Sequence, residues 1–264
     1  MNRILLAAAC LAAIAFQGTA RAADASFQNV KAKGKLVMGL DDAFPPMGFR
    51  NEDNQIVGYD VDLANEVAKR LGVKLVPQPI DRNAKEQELN TGKIDCIWNG
   101  FTITEERQKA LLFTKPYLKN AQVVVVKKGS PFTTFASLKG KKVGLQAGSS
   151  AAGALEAAKE FRASLKEVVE FKDNLTALMD LEMGGVEAVV MDLIVANDNI
   201  KRSGKPYVVL KETLAPEVFG VGFRKGDVAL RDAVQAALEA MAKDGTLAKV
   251  TAKWFGSDIS VVGK

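Results

Sequence analysis

The chain is predicted to fold as α/β, in mostly parallel sheets flanked by helices. From Lys35 onward, apolar β-branched runs alternate with amphipathic stretches of helical period, the pattern of strands joined by covering helices. After a valine-rich run at 122–126 a second series of the same kind begins. At 264 residues, 48% hydrophobic and 25% charged, the chain holds enough material for two modest domains.

In the first series, residues 35–40 read as a strand followed by DDAFPPMGF (41–49), whose paired prolines forbid regular structure and hold a rigid loop. Asp41 and Phe44 then stand at the strand's carboxyl end, where open α/β sheets bind ligands. Asp60 is expected to cap a helix whose apolar face carries Val61, Ala64, Val67, Ala68 and Leu71 and which Gly72 ends. Residues 73–76 read as strand and 83–90 as helix. The run 94–98 is apolar except for Asp95 and ends at Trp98, before Asn99 and Gly100, as a buried strand does where backbone approaches a ligand.

The stretch WNGFTITEER (98–107) follows from that strand and reads as a grip for a small anion. Thr104 suits an N-cap, with Glu105 and Glu106 in the first turn. The Thr102 amide and hydroxyl and the Arg107 guanidinium converge on one carboxylate in this reading, because only arginine pairs with it in a planar, bidentate way. The plainer alternative is a capped helix with Arg107 in water.

In the second series, residues 142–145 read as strand, and Gly148-Ser149-Ser150 opens an alanine-rich helix to about Arg162, whose free first-turn amides attract an anion. Residues 168–171 are strand, Asn174 caps a helix through Met183, and 187–191 are strand with Asp192 at its carboxyl end. Asp192 is either a ligand contact or simply the cap of the next helix. Residues 207–210 and 218–223 are strands, Asp227 caps a long amphipathic helix, and a last helix runs from Thr246 to Phe255.

Residues 1–22 carry Arg3, an apolar run and the small-x-small site Ala20-Arg21-Ala22, the features of a cleaved signal peptide. Cleavage before Cys10, as in a lipoprotein, is the second reading. The net charge of +5 falls to +3 without Arg3 and Arg21. No basic stripe with interleaved aromatics is present, which argues against nucleic acid. The chain has no histidine, which excludes histidine-dependent triads and metal sites, and with Cys96 alone after cleavage an internal disulfide is impossible.

Taken together, DxxFxPMGF at Asp41, GYDVDLANEVAKRLG at Gly58, ELNTGKIDCIWNGFTITEER at Glu88, SLKGKKVGLQAGSS at Ser137, EAVVMD at Glu187 and KWFG at Lys253 resemble the periplasmic amino-acid-binding proteins of ABC importers. The resemblance implies a two-lobed Venus-flytrap fold, with lobe 1 at 27–118 plus 218–264, lobe 2 inserted at 119–217, and crossings near 117–121 and 215–219. It implies that Arg107, Thr102 and the Ser150 amide hold a ligand carboxylate, while Asp192 and the Gly100 carbonyl hold its ammonium. Phe44 would pack on the aliphatic part and Asp41 face the side chain, with Trp98, Asn99, Gln146 and Ser149 completing the site. No cofactor is implied. The expected partners are a free L-amino acid and an inner-membrane ABC permease, for a periplasmic monomer.

Two residues depart from the family pattern. Arg82 stands where many relatives carry a pocket aromatic, and Met47 replaces another. Asp41 alone favours a basic or amide-bearing ligand, which is placed first because Arg82 suits a solvated rim as well as the pocket. An inward Arg82 would suit a ligand with both charges at its far end, such as cystine. A dehydratase-like enzyme on the same fold and a ligand-presenting sensor are the competing functions.

Overall fold

The computed structural model describes residues 24–264. The signal peptide expected at 1–22 lies outside them. Helix α1 (Ser26–Ala32) precedes β1 (Lys35–Leu40), and three short strands, β2 (Ala43–Phe44), β3 (Gly48–Arg50) and β4 (Ile56–Val57), form a small antiparallel sheet. Prolines thus bend the 41–49 segment without excluding strand pairing on either side of them. There follow α2 (Tyr59–Arg70), β5 (Lys74–Pro79), α3 (Lys85–Asn90), β6 (Cys96–Ile97), α4 (Glu105–Ala110) and β7 (Leu111–Phe113).

The long strand β8 (Leu118–Lys127) leads into β9 (Lys142–Gln146), α5 (Ser150–Ala157), α6 (Lys159–Ser164), β10 (Glu167–Phe171), α7 (Asn174–Met183), β11 (Ala188–Asp192) and α8 (Leu193–Ser203). A second long strand, β12 (Tyr207–Phe219), returns to β13 (Gly222–Arg224), α9 (Val228–Lys243) and α10 (Thr246–Phe255).

Two five-stranded sheets result, in the orders β5-β1-β6-β13-β7 and β10-β9-β11-β8-β12. Each has a parallel half, β5-β1-β6 in one and β10-β9-β11 in the other, as alternating strands and helices require. The remaining pairs are antiparallel. They are made by strands arriving from or returning to the other lobe, which enter without a crossover helix.

β8 and β12 pair with each other from Leu118↔Phe219 to Lys127↔Tyr207, with irregular register around Thr213. Their Leu118–Phe219 end is tied to the first lobe by bridges to Ser260 and Thr102. Their other end builds the second sheet, so this ribbon is the connection between the lobes. Tyr59, Trp98, Tyr117 and Phe219, all without exposed surface, fill the first lobe's core beneath it.

Several helix starts differ from expectation. Asp60 does not cap α2, whose N-cap is Gly58; it lies in the first turn, fully buried, with Oδ2 accepting from Gly100 N at 2.6 Å and Tyr117 Oη at 3.0 Å. Asp173, not Asn174, caps α7 through Thr176 N, and Asn174 turns inward as the first helical residue. Asp227 holds the cap position of α9 without capping it and pairs with Arg224 at 2.6 Å. The alanine-rich helix breaks at Ala158 into α5 and α6, and the new direction stacks Phe161 on Phe135 with centroids 4.5 Å apart.

Candidate ligand-binding cleft

Thr104 caps α4 as expected, its hydroxyl accepting from Arg107 N at 3.1 Å, and this fixes where the Arg107 side chain leaves the helix. The guanidinium turns back over the Phe101 ring, 4.4 Å from its centroid. It donates to Thr102 O at 2.9 Å and reaches Gly148 O of the second lobe at 3.5 Å. None of the ion pairs among the described residues includes Arg107. Burial, and then the like charge of Arg82, push its pKa down to about 10. A desolvated guanidinium with only carbonyl acceptors favours the arrival of an anion. Arg107 lines a recess of about 760 Å³ between the lobes, together with Lys85, Thr102, Gly148, Ser150 and Glu217.

From the second lobe, Ser149 caps α5 through Ala151 N and donates to Gln146 O at 2.7 Å. Ser150 Oγ stands 3.0 Å from Thr102 Oγ1, so the two hydroxyls meet across the cleft. Gly148 adopts φ +68°, and a Cβ there would come 2.6 Å from Asn83 Oδ1. Glycine is therefore favoured where this loop meets the opposite lobe.

Asp192 occupies the cap position of α8, yet its side chain makes no capping bond. Its Oδ1 accepts instead from Asn120 Nδ2 at 2.5 Å and Gln122 Nε2 at 3.1 Å, side chains two residues apart on β8. Burial, and then the neighbouring Glu217 carboxylate, push its pKa up to about 7. A buried carboxylate so destabilised gains from a cationic partner.

Arg82 lies inside the cleft, with its side chain only 10% exposed. Its guanidinium sits over Phe44, 4.1 Å from the ring centroid. It donates to Asn99 Oδ1 at 3.0 Å and to Asp41 Oδ2 at 3.3 Å. Gln146 Nε2 of the second lobe donates to the same Asp41 oxygen at 2.7 Å. The alternative of Arg82 on a solvated rim is thus overturned: Phe44 and the Asn99 and Asp41 acceptors hold it inward, and it covers the aromatic face that a ligand would otherwise pack on.

Asp41, Phe44, Arg82, Asn99 and Gln146 therefore gather at one end of the cleft, and Thr102, Arg107, Ser149, Ser150 and Asp192 at the other. Gly100 lies between, its N–H taken by Asp60. Trp98 is the exception among the residues named from sequence. Its side chain has no exposed surface and packs on Tyr117, with centroids 6.2 Å apart, so it supports the loop from the core side rather than lining the cleft.

Asn120, Gln122, Glu217 and Lys85 are cleft residues absent from that set. Asn120 and Gln122 are signalled by i, i+2 polar positions at the start of a valine strand. Lys85 Nζ donates to Arg82 O at 2.9 Å and Gly148 O at 3.3 Å, and burial followed by Arg107's charge pushes its pKa down to about 8.

A two-lobed α/β molecule with polar and charged side chains meeting in the interlobe cleft is the architecture of a solute-binding protein. Residues 36–257 match the model of bacterial extracellular solute-binding proteins, family 3, and the chain belongs to that family. The L-cystine-binding protein TcyJ of Escherichia coli strain K12 is 33% identical over 262 residues, 98% of this chain and 97% of that protein. ABC transporter arginine-binding protein 1 of the same strain is 30% identical over 231 residues, 86% and 93% of the two chains. Among solved structures, an ABC uptake transporter substrate binding protein from Streptococcus pneumoniae with bound histidine superposes with a TM-score of 0.88 at 36% identity, over 90% of this chain and 99% of that one.

Proposed function

We propose that this protein binds a free L-amino acid between its lobes and delivers it, by lobe closure, to an ABC permease, and that the favoured ligand carries both charges at its far end, as cystine does. In this reading Arg107, with the Thr102 and Ser150 hydroxyls, takes the α-carboxylate, and Asp192 takes the α-ammonium. The relatives' names support an amino acid as ligand and transport as its fate. Ligand bridging of the lobes supplies the differential affinity that drives closure. Both halves of the site come from one chain, so a monomer suffices. Export to the periplasm accords with the family description and the leader sequence. The reading is of a binder rather than an enzyme, in line with the binding proteins among its relatives.

The observation that carries the choice of ligand is the inward Arg82–Asp41 pair, 10% and 12% exposed. These two groups pair with each other, and a ligand that enters between them must replace both partners, as a distal zwitterion does by offering a carboxylate to Arg82 and an ammonium to Asp41. This reverses the order drawn from sequence, which puts basic and amide ligands first. A basic ligand is the second reading, supported by the acceptors Asp41 and Asn99 Oδ1 and by the arginine-binding relative. It brings a second cation beside Arg82.

A thermal-shift screen against cystine, arginine, histidine, glutamine and leucine, on wild type and Arg82→Ala, tests this choice, since a ligand bound only by the native state raises its melting temperature. Wild type is expected to respond most to cystine. Arg82→Ala is expected to lose that response and to gain response to arginine. An unchanged ranking in Arg82→Ala would remove Arg82 from ligand recognition.

A further inference from the structure

Glu217 lies on β12 where the ribbon passes between the lobes, half-buried at the edge of the recess lined by Arg107 and Ser150. Its Oε2 accepts from Thr102 Oγ1 of the first lobe at 3.1 Å and from Ser150 Oγ of the second at 3.4 Å. The same oxygen accepts from Gln122 Nε2 at 3.1 Å and Asn120 Nδ2 at 3.2 Å, the two amides that also bond Asp192. One carboxylate oxygen thus collects hydroxyl donors from both lobes and amide donors from the ribbon between them. A hydroxyl carries one proton, and an ionised carboxylate only accepts. Thr102 therefore cannot donate to Glu217 and to a second carboxylate at once.

We propose that Glu217 is a built-in competitor for the α-carboxylate subsite: it holds the donors of both lobes together, and an incoming amino-acid carboxylate must displace it to engage Thr102 and Ser150. This rests on the reading of the cleft as an amino-acid site and adds a residue that sets affinity there. Three features carry it. Glu217 holds the two hydroxyls that this reading assigns to the ligand's carboxylate. It makes no ion pair with Arg107, so that guanidinium stays available to the newcomer. It shares its amide donors with Asp192, so its departure leaves Asn120 and Gln122 bonded to Asp192 rather than orphaned.

The test is calorimetric titration of wild type, Glu217→Ala and Glu217→Gln with L-cystine and with cystamine, the same molecule without carboxylates. Glu217→Ala is expected to bind cystine about tenfold more tightly, the scale of hydrogen bonds to a charged group. Glu217→Gln keeps a neutral acceptor in place and is expected to tighten binding less. It also carries the comparison if the alanine variant fails to fold. Cystamine, which displaces no carboxylate, is expected to gain nothing. If arginine outranks cystine, arginine and agmatine serve as the matched pair. Unchanged or weaker cystine binding in both variants would overturn the proposal and make Glu217 a bystander or a partner of the ligand's ammonium. Equal tightening for cystine and cystamine would also overturn it, as a general effect of removing negative charge. If wild type binds no amino acid, the reading of the cleft fails, and the role of Glu217 falls with it.

Discussion

In the proposed reading, Asp192 is the residue that meets the ligand's ammonium. Its carboxylate is buried beside Glu217 and held by Asn120 and Gln122, which together leave its pKa near 7. Its folded value lies above the ordinary 3.8. The stability tied to its proton is therefore fully present below that ordinary value and lost as pH rises through about 7. Asp192→Asn removes this loss. Between about pH 5 and about pH 8 the melting temperature of the variant should rise relative to wild type. Amino-acid binding has the opposite dependence, because the ammonium needs the ionised form. Wild-type affinity should fall as pH drops through about 7, while the variant should bind more weakly by about 2–5 kcal/mol at neutral pH, with little pH dependence. Melting curves and titrations at matched pH check both. Normal binding by the variant would leave Asp192 with no ligand role. At this scale the sequence is informative where the signal is local: Thr104 followed by two acids identifies its cap, and Asp192 at a strand end is identifiable as a candidate. Glu217 is not, because its role depends on a hydrogen bond across 97 positions of chain.

The loop between β6 and α4 is the element on which the cleft depends. Gly100 adopts φ +53°, and a Cβ there would lie 3.0 Å from Phe44 Cε1 and 3.3 Å from Phe219 Cε2. Beneath it, Asp60 fastens the Gly100 amide to Tyr117 at the start of the interlobe ribbon. Gly100→Ala combines an unfavourable backbone conformation with contact against two rings, and should destabilise the protein by about 1–3 kcal/mol. The urea midpoint should fall with an unchanged slope, and an unchanged midpoint would contradict the geometry. Strand and helix alternation makes most elements legible, since periodicity is a property of short windows. Two expected caps fail because a competing partner outweighs the capping bond: Gly100 and Tyr117 for Asp60, and Arg224 for Asp227. The strand expected at 207–210 runs on to Phe219 because β8 pairs along both halves of β12, and the strand expected at 218–223 is divided between the end of β12 and β13.

Across the whole molecule, the two lobes meet at each end of the cleft: Gln146 donates to Asp41 at one, and the Ser150 and Thr102 hydroxyls stand 3.0 Å apart at the other. A ligand that engages groups of both lobes gains its full contacts only when the lobes are together, which is how binding becomes closure. Arg107 and Asp192 at one end, with Arg82 and Asp41 at the other, form two positive and two negative groups, and a molecule with a zwitterion at each terminus matches all four. Titration of L-cystine into wild type and Arg107→Lys tests this most directly. We expect one-to-one binding to wild type, tighter than for arginine or leucine. A loss of about 2–5 kcal/mol is expected in the lysine variant, whose point charge cannot reproduce the guanidinium fork. Leucine binding more tightly than cystine, or Arg107→Lys binding cystine as wild type does, would contradict the account.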